Sequence, residues 1–541
     1  MPVAAEITSS VIAEPVLVDA PDMTSADVKR HIYRNSISNY AFLVVRLGLG
    51  AILFRLIYQA LPKEDFGFWS VLWSMLGYGI LLDFGFGFTA QKRVAELCVK
   101  RDWDRLSRVL STIFYTYVAV ALGIITVGYY VAPFIIHALA GVSPHNVPHY
   151  TKILRVFLVG IGIAFPLGMF PEMLRGQQRI CLANNLQLLS YLVSFTFMLL
   201  GVANHWDLIW LFVFSLGGTL LGDFLCGLAA MRKMPRVYLS PSLFSRGMIR
   251  ETTRFSVYAY VTTLTTVILT RTDQIVISTG LALAAVAVYQ AGAKVSEMFS
   301  GFALQIAETL SPAAAHFHAR GDRAELRDLL VNGTRFTVLF ATPMYLCCVF
   351  FLPAILRILT GAKLGGTETY WVGQILLLWI YMTVLTQSCT KRIFMMCGHE
   401  KRLMWFGLGE AAMNLGLSVA LVLTFKNVIC VALGSLIATF FFGWFFIWPW
   451  AAREAGIGGW KLARAVIFPA WIACGPLIVF ISLIRFLPRF SSADSFGMFF
   501  LEGAIAAVVS AIGLWKLALD DNERAKFTAH FLRRLGRRSA A

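Results

Sequence analysis

Charge is what this 541-residue sequence has least of. Asp, Glu, Lys and Arg make up 14% of it and apolar side chains 58%, whereas a soluble domain carries about 25% charged and about 45–50% apolar residues. So little charge excludes a disordered chain, a coiled coil and an ordinary cytosolic enzyme. It leaves a chain dissolved largely in lipid. Cysteine chemistry is missing too. The 9 cysteines include no CxxC pair, and Cys226, Cys347, Cys348, Cys430 and Cys474 lie inside apolar runs, where a thiol behaves as a small hydrophobe. A disulfide framework and a cysteine zinc site are excluded. His316-x-His318 is the nearest approach to a ligand pair, and it reads as a solvated loop. No cofactor or metal is expected. The N-terminus lacks the basic start and apolar core of a secretory signal. Residues 1–28 carry Glu6, Glu14, Asp19, Asp22 and Asp27, and 1–34 is expected to be a disordered cytoplasmic tail.

What the sequence has is long apolar runs. A bilayer span needs about 20 of them in a row, and fourteen candidates can be placed: 37–60, 67–89, 109–132, 153–174, 183–203, 207–230, 255–278, 287–311, 331–353, 369–389, 404–425, 428–449, 465–485 and 495–517. Lipid offers the backbone no partners, so the runs must be helices. They are too long and too evenly apolar for the alternating strands of a barrel. The fold class is therefore an all-α polytopic membrane protein. The expected organisation is an N-lobe of six helices over 35–240, a C-lobe of six over 241–450, two further helices over 451–518, and a basic cytoplasmic tail over 519–541.

The net charge of +17 would suggest nucleic acid in a soluble protein. Here its position answers the question. One alternating set of connections holds 34 Lys and Arg residues, among them Lys92, Arg93, Arg175, Arg232, Lys233, Arg323, Lys391, Arg392, Lys401 and Arg402. The other set holds 7, from Lys63 to Arg489. Basic loops stay in the cytoplasm, so both termini are expected there and no nucleic-acid partner is implied. The outer loops are short, the longest being about 20 residues around 133–152. None is long enough to fold as an outer catalytic domain.

The chain also repeats. Shifted by 220 residues, Ser36 meets Ser256, Tyr40 meets Tyr260, Asp102 meets Asp322, Leu106 and Leu110 meet Leu326 and Leu330, Pro133 meets Pro353, Gly141 meets Gly361 and Tyr150 meets Tyr370. With a two-residue slip, Gly176 meets Gly398. Turn residues and charges fall in register, not only leucines. Each half holds six helices and begins on the same side, so the repeat is parallel. Duplicated halves of this kind mark transporters, with the substrate path between them.

A charge near mid-membrane costs about 2.5–3.5 kcal/mol on insertion scales and normally faces the bundle interior. In the eighth predicted helix Gln290, Lys294, Glu297, Gly301, Gln305 and Glu308 fall within about 60° of one line at the helical period. That stripe reads as the wall of a water-filled lumen; the competing reading is a self-neutralising Lys294–Glu297 pair three residues apart. Tyr258, Thr262, Thr266 and Asp273 share a face of the seventh helix, and threonines there can instead bond to their own backbone. Arg46 lies some ten residues into the first helix and is the preferred lumen cation. Arg55 points the opposite way and is placed to snorkel. Glu410, Asn414 and Ser418 stand at i, i+4, i+8 in the eleventh helix, either lining the path or joining helices. Glu297, Glu308, Asp273 and Glu410 are the candidates for ion coupling. Asp83 and Asp223 fit helix packing as well as an ion site.

The segments 61–71 and 81–96, with Gly67 and Trp69 after a short outer turn and then Asp83 and Gly85 near the inner end of the second helix, resemble the polysaccharide-transporter branch of the MOP exporter superfamily. These are Wzx-type flippases of lipid-linked oligosaccharides. The segments 273–277, 285–294 and 310–315, ahead of Arg320 to Arg323, resemble the second half of that family. The resemblance covers about residues 35–450. It implies two pseudo-symmetric six-helix lobes in a V plus two C-terminal helices, in the bacterial inner membrane. It implies a cavity cationic enough for an undecaprenyl-diphosphate headgroup bearing a glycan, with Arg46 and Lys294 as its cations. Glu297 and Glu308 make this face mixed instead, which fits a cycle coupled to H+ or Na+. The expected partners are the lipid-linked oligosaccharide, membrane lipids and polysaccharide polymerase machinery. The alternatives are a multidrug/cation antiporter or a peptidoglycan-precursor flippase of the same superfamily, and, in another class, a membrane glycosyltransferase or polymerase.

Overall fold

The computed structural model describes residues 25–525 and 528, apart from 83–85, 141, 178, 249–256, 362–365, 487–495, 522 and positions scattered through 305–320. Asp83, Gly85, His316, Gln305 and Glu308 lie outside the described residues. Every regular element among the described residues is helical. The first compact unit is Met1–Ala287 and the second Val288–Ala541. The first holds α1 Ser25–Ala60, α2 Lys63–Leu82, α3 Phe86–Lys100, α4 Trp103–Ala138, α5 Val147–Leu167, α6 Met169–Gly176, α7 Ile180–Ala203, α8 Leu208–Lys233 and α9 Val257–Gly280. Helix α10, Leu283–Ala303, begins in it and continues into the second unit. That unit adds α11 Arg323–Phe350, α12 Leu352–Thr360, α13 Gly366–Thr386, α14 Ser388–Met396 and α15 Glu400–Phe425. Next come α16 Ile429–Phe442, a π-helical turn over Gly443–Ile447, and α17 Trp448–Glu454. Helices α18 Gly459–Ala473, α19 Gly475–Phe486 and α20 Phe496–Gly513 close the chain.

Where their residues are described, the expected spans fall on helices, and among the described residues eleven helices are long and apolar enough to cross a bilayer. Helices α9 and α10 are not among the eleven, and that count does not confirm the expected fourteen crossings. The reason lies in their composition: α9 carries Thr262, Thr263, Thr265, Thr266, Thr270, Arg271 and Asp273, and α10 carries Gln290, Lys294 and Glu297. The first helix begins at Ser25, ahead of the expected start at 37. Helix α11 begins at Arg323 and not at 331. Polar residues can extend a helix beyond the bilayer because water also satisfies their side chains.

The repeat is visible in the helix ends. Helices α1 and α9 end at Ala60 and Gly280, α2 and α10 start at Lys63 and Leu283, α4 and α11 at Trp103 and Arg323, α7 and α15 at Ile180 and Glu400. All four pairs are 220 residues apart. One pair has a clear local cause. Asp102 caps α4 by accepting from the Arg105 N–H at 3.1 Å, and Asp322 caps α11 by accepting from the Glu325 N–H at 3.2 Å. These side chains satisfy donors that a helix start leaves unpaired. The residue before each cap is left-handed, Arg101 at φ 54° and Gly321 at φ 69°.

The first part of the resemblance motif, Gly67 to Trp69, is packed rather than exposed. Gly67 sits so close to the first turn of α10 that a Cβ there would fall 1.8 Å from the Leu283 carbonyl oxygen. Trp69 packs on Phe212 of α8 with ring centroids 4.3 Å apart. Phe68 stacks on Tyr150 of α5 at 4.4 Å, and the Tyr150 hydroxyl donates to Asp65 at 2.6 Å. One short segment thus ties α2 to α5, α8 and α10.

Candidate functional site

Helix α10 has two unlike faces. Ala287, Ala291, Val295 and Phe299 are buried. On the other face Lys294 Nζ lies 3.0 Å from Glu297 Oε2, and Gln290 Nε2 donates to Glu297 Oε1 at 3.5 Å. The Lys294 and Glu297 side chains are 23% and 41% exposed. The three-residue pair of the competing reading forms, and Gln290 joins it one turn further back. A charged, partly open triad on a membrane helix can hold a polar or charged ligand, because neither charge is buried by the protein.

In α9 the Thr266 hydroxyl is exposed and donates to the Thr262 carbonyl at 2.9 Å; Thr270 does the same to Thr266 at 2.8 Å. These threonines satisfy themselves on the backbone, as polar residues in a helix can. Asp273 is buried. In α1 the Arg46 side chain is exposed and makes no hydrogen bond or ion pair among the described residues. It stands within electrostatic reach of the Tyr191 hydroxyl on α7.

A buried and well-bonded carboxylate of the second unit is Glu410 on α15, 1% exposed. Its Oε2 meets Lys391 Nζ of α14 at 3.0 Å. Its Oε1 accepts from Gln387 Nε2 at 3.0 Å and from Thr439 Oγ1 of α16 at 2.9 Å. Trp379 Nε1 of α13 donates to Thr439 Oγ1 at 2.8 Å. One and two turns along α15, Asn414 donates to Ser435 Oγ at 3.1 Å and accepts from Ser418 at 3.2 Å. The i, i+4, i+8 series therefore faces α16 and joins helices. Lys391 was counted with the connections, but it lies in α14 and serves a buried anion. Ser435 and Thr439, spaced by four on the next helix, were the signal for that partner face.

The first unit carries a related cluster on the corresponding elements. Arg175 of α6 pairs with Glu172 and donates to Gln187 of α7 at 3.4 Å; Gln187 in turn donates to the buried Asp223 of α8 at 3.4 Å. In both units a cation on the short helix after a break is linked to a buried carboxylate. One more ionisable group escaped the sequence reading. Glu502 of α20 is 3% exposed, and neither of its carboxyl oxygens has a partner among the described residues.

Comparison with known proteins gives the family. Residues 32–318 match the polysaccharide biosynthesis protein family. No curated protein matches the sequence significantly. The fold is similar to that of the lipid II flippase MurJ in an inward closed conformation, at 14% identity and a TM-score of 0.64, covering 88% of this chain and 97% of that one. It is also similar to an inward-facing multidrug resistance MATE family transporter of the MOP superfamily, at 15% identity and a TM-score of 0.63, over 77% and 95%. A third likeness is to a MOP superfamily transporter from Pyrococcus furiosus, at 14% identity and a TM-score of 0.55, over 81% and 96%. At these identities the likeness is one of fold. The protein is thus a multi-pass membrane protein with the MOP-superfamily transporter fold, and its sequence belongs to the polysaccharide biosynthesis protein family.

Proposed function

We propose that this protein flips undecaprenyl-diphosphate-linked oligosaccharide units across the bacterial inner membrane for surface polysaccharide synthesis. The observation that carries this reading is family membership combined with the charged, partly open Gln290–Lys294–Glu297 face on a membrane helix. The physical task is to move a polar glycan and a diphosphate past hydrocarbon while the lipid tail stays in lipid. Lys294 and Arg46 are, each in its own unit, the cation candidates for the diphosphate, and Gln290 is the candidate for sugar hydroxyls. Thr266 and, from the sequence stripe, Gln305 and Glu308 are the remaining path candidates. Cargo moves by alternating access, and no covalent bond is made or broken. A carboxylate beside the cation lets the cycle trade H+ or Na+ for cargo. Glu297 is the first candidate for that exchange, with Glu308, Asp273 and Glu410 behind it. The bias of basic residues to one set of connections supports cytoplasmic termini. A polysaccharide polymerase downstream consumes the flipped unit.

The test is a deletion strain of the native host. Lipid-linked oligosaccharides are extracted and surface polysaccharide is assayed in parallel. Accumulated undecaprenyl-diphosphate glycan with a bare surface supports the flippase and identifies the cargo by mass. Normal surface glycan with new sensitivity to cationic drugs sinks it in favour of a multidrug antiporter.

A further inference from the structure

Proline in a helix leaves a carbonyl without its donor, because the ring nitrogen has no hydrogen. Pro133 of α4 does this to the carbonyl of Tyr129, four residues back. Arg155 of α5 repairs it: Nε donates to Tyr129 O at 3.2 Å, and the guanidinium carbon lies 4.0 Å from the centroid of the Tyr129 ring. The second unit meets the same problem 220 residues later. Pro353 cannot donate to the carbonyl of Val349, and Gln374 Nε2 donates to it at 3.2 Å. The repair therefore needs one neutral donor. The charge on Arg155 is surplus to it.

That surplus sits where a charge is costly. Arg155 is the ninth residue of α5, about 12 Å along from the helix start, in a segment apolar enough to span a bilayer. Among the described residues no carboxylate pairs with it and neither Nη group is bonded. Tyr129 and Tyr130 beside it are 49% and 70% exposed, and Phe134 one turn on is 75% exposed. A cation at the edge of a membrane span draws a counter-charge. On an exposed flank of a membrane protein the counter-charge at hand is a headgroup phosphate. With Nε and one ring face engaged, the two Nη groups form a fork suited to phosphate oxygens. Exposed tyrosines are the amphipathic rings that settle at the headgroup level. We propose that Arg155, Tyr129 and Tyr130 form a lipid-facing site for a phosphate-bearing lipid headgroup, near the end of α4 and α5 where residues 139–146 join them. The site belongs to the first unit alone and stands whether or not the chain is a flippase.

The test uses the purified full chain in nanodiscs of phosphatidylcholine with a fifth phosphatidylglycerol, and native mass spectrometry counts the phosphatidylglycerol retained. Gln374 shows that glutamine serves a freed carbonyl, so Arg155→Gln keeps the α4–α5 bond and removes only the charge. The expected result is an unchanged melting temperature with about a fivefold loss of the tightest-bound phosphatidylglycerol. Unchanged retention overturns the proposal. Tyr130→Ala leaves that bond alone and guards against an R155Q chain that melts early. It is expected to lose about threefold, and full retention in Tyr130→Ala alongside a misfolded R155Q also overturns the proposal. Inorganic phosphate is titrated into wild-type nanodiscs of pure phosphatidylcholine. Binding there that Arg155→Gln abolishes would make this a site for a soluble anion and overturn the lipid assignment.

Discussion

Lys391 and Glu410 form an ion pair 3.0 Å long in which the lysine side chain is 33% exposed and the carboxylate 2%. The anion is buried and the cation reaches toward water from a helix of nine residues. Breaking such a pair from one side costs about 3–5 kcal/mol, because the remaining charge is stranded. Lys391→Met should therefore lower the melting temperature of the detergent-solubilised protein sharply. Lys391→Met with Glu410→Gln should recover most of the loss, since Gln387 and Thr439 can still bond a neutral amide. A double variant no better than the single one would show that the pair is not what holds α14 to α15.

Gly67 leaves no room for a side chain. A Cβ 1.8 Å from the Leu283 oxygen meets backbone, which cannot swing aside. Gly67→Ala should reduce the monodisperse, folded fraction on size-exclusion chromatography several-fold. Gly48→Ala, where a Cβ would meet nothing within 4 Å, should leave it unchanged. Equal yields from both variants would mean that α2 and α10 can part without penalty.

Those two sites also show how far the sequence could be read. Lipid forces long apolar runs into helices, so hydropathy alone located the helical segments, while their polar extensions, as at Ser25 and Arg323, were not marked by it. Helices α9 and α10 gave a weaker signal because they carry threonines, Gln290 and charged residues. The breaks between α5 and α6 and between α13 and α14 were hidden, since apolar sequence runs straight through them. Counting charges assigned Lys391 to a connection because counting sees residue type and not partner. Glu410, Asn414 and Ser418 were found by spacing, but only the facing Ser435 and Thr439 show that they join helices. Arg155 drew no notice, because the carbonyl it serves is freed by a proline on the preceding helix.

The caps offer a quantitative check of the repeat. Asp102→Ala and Asp322→Ala should each cost about 1 kcal/mol. The two should add, because residues without shared partners usually do. Arg101 stands left-handed where the second unit has Gly321. A left-handed L-residue costs about 1–2 kcal/mol that glycine avoids, so Arg101→Gly should raise the melting temperature. A fall would mean that the Arg101 side chain earns its place through some contact stronger than that strain.

Glu502 is buried on α20, where Ala506, one turn along, belongs to an apolar cluster that Phe499 packs against. A polar group shut away without a bond costs roughly 1–3 kcal/mol by mutational measures. Glu502→Leu should therefore stabilise the protein in a thermal melt. If it stabilises and export in the deletion strain fails, the carboxyl is kept for function. If it destabilises, a bonding partner for Glu502 must exist.

The polar face of α10 decides between a working surface and a structural pair. Lys294 and Glu297 bond to each other, yet 23% and 41% of their side chains remain exposed. In a membrane helix that exposure means contact with either water or lipid, and a charged pair in lipid is far the costlier of the two. Cysteine at 294 or 297, in a background without the native cysteines, should react with a water-soluble thiol reagent, and cargo should slow the reaction. Arg46→Ala, which removes an exposed cation with no partner among the described residues, should abolish export while the protein still inserts. Protection of both cysteines throughout the cycle would leave Lys294 and Glu297 as a pair that merely neutralises itself. Normal export by Arg46→Ala would take Arg46 off the path, and a cationic route for the diphosphate would then rest on Lys294 alone.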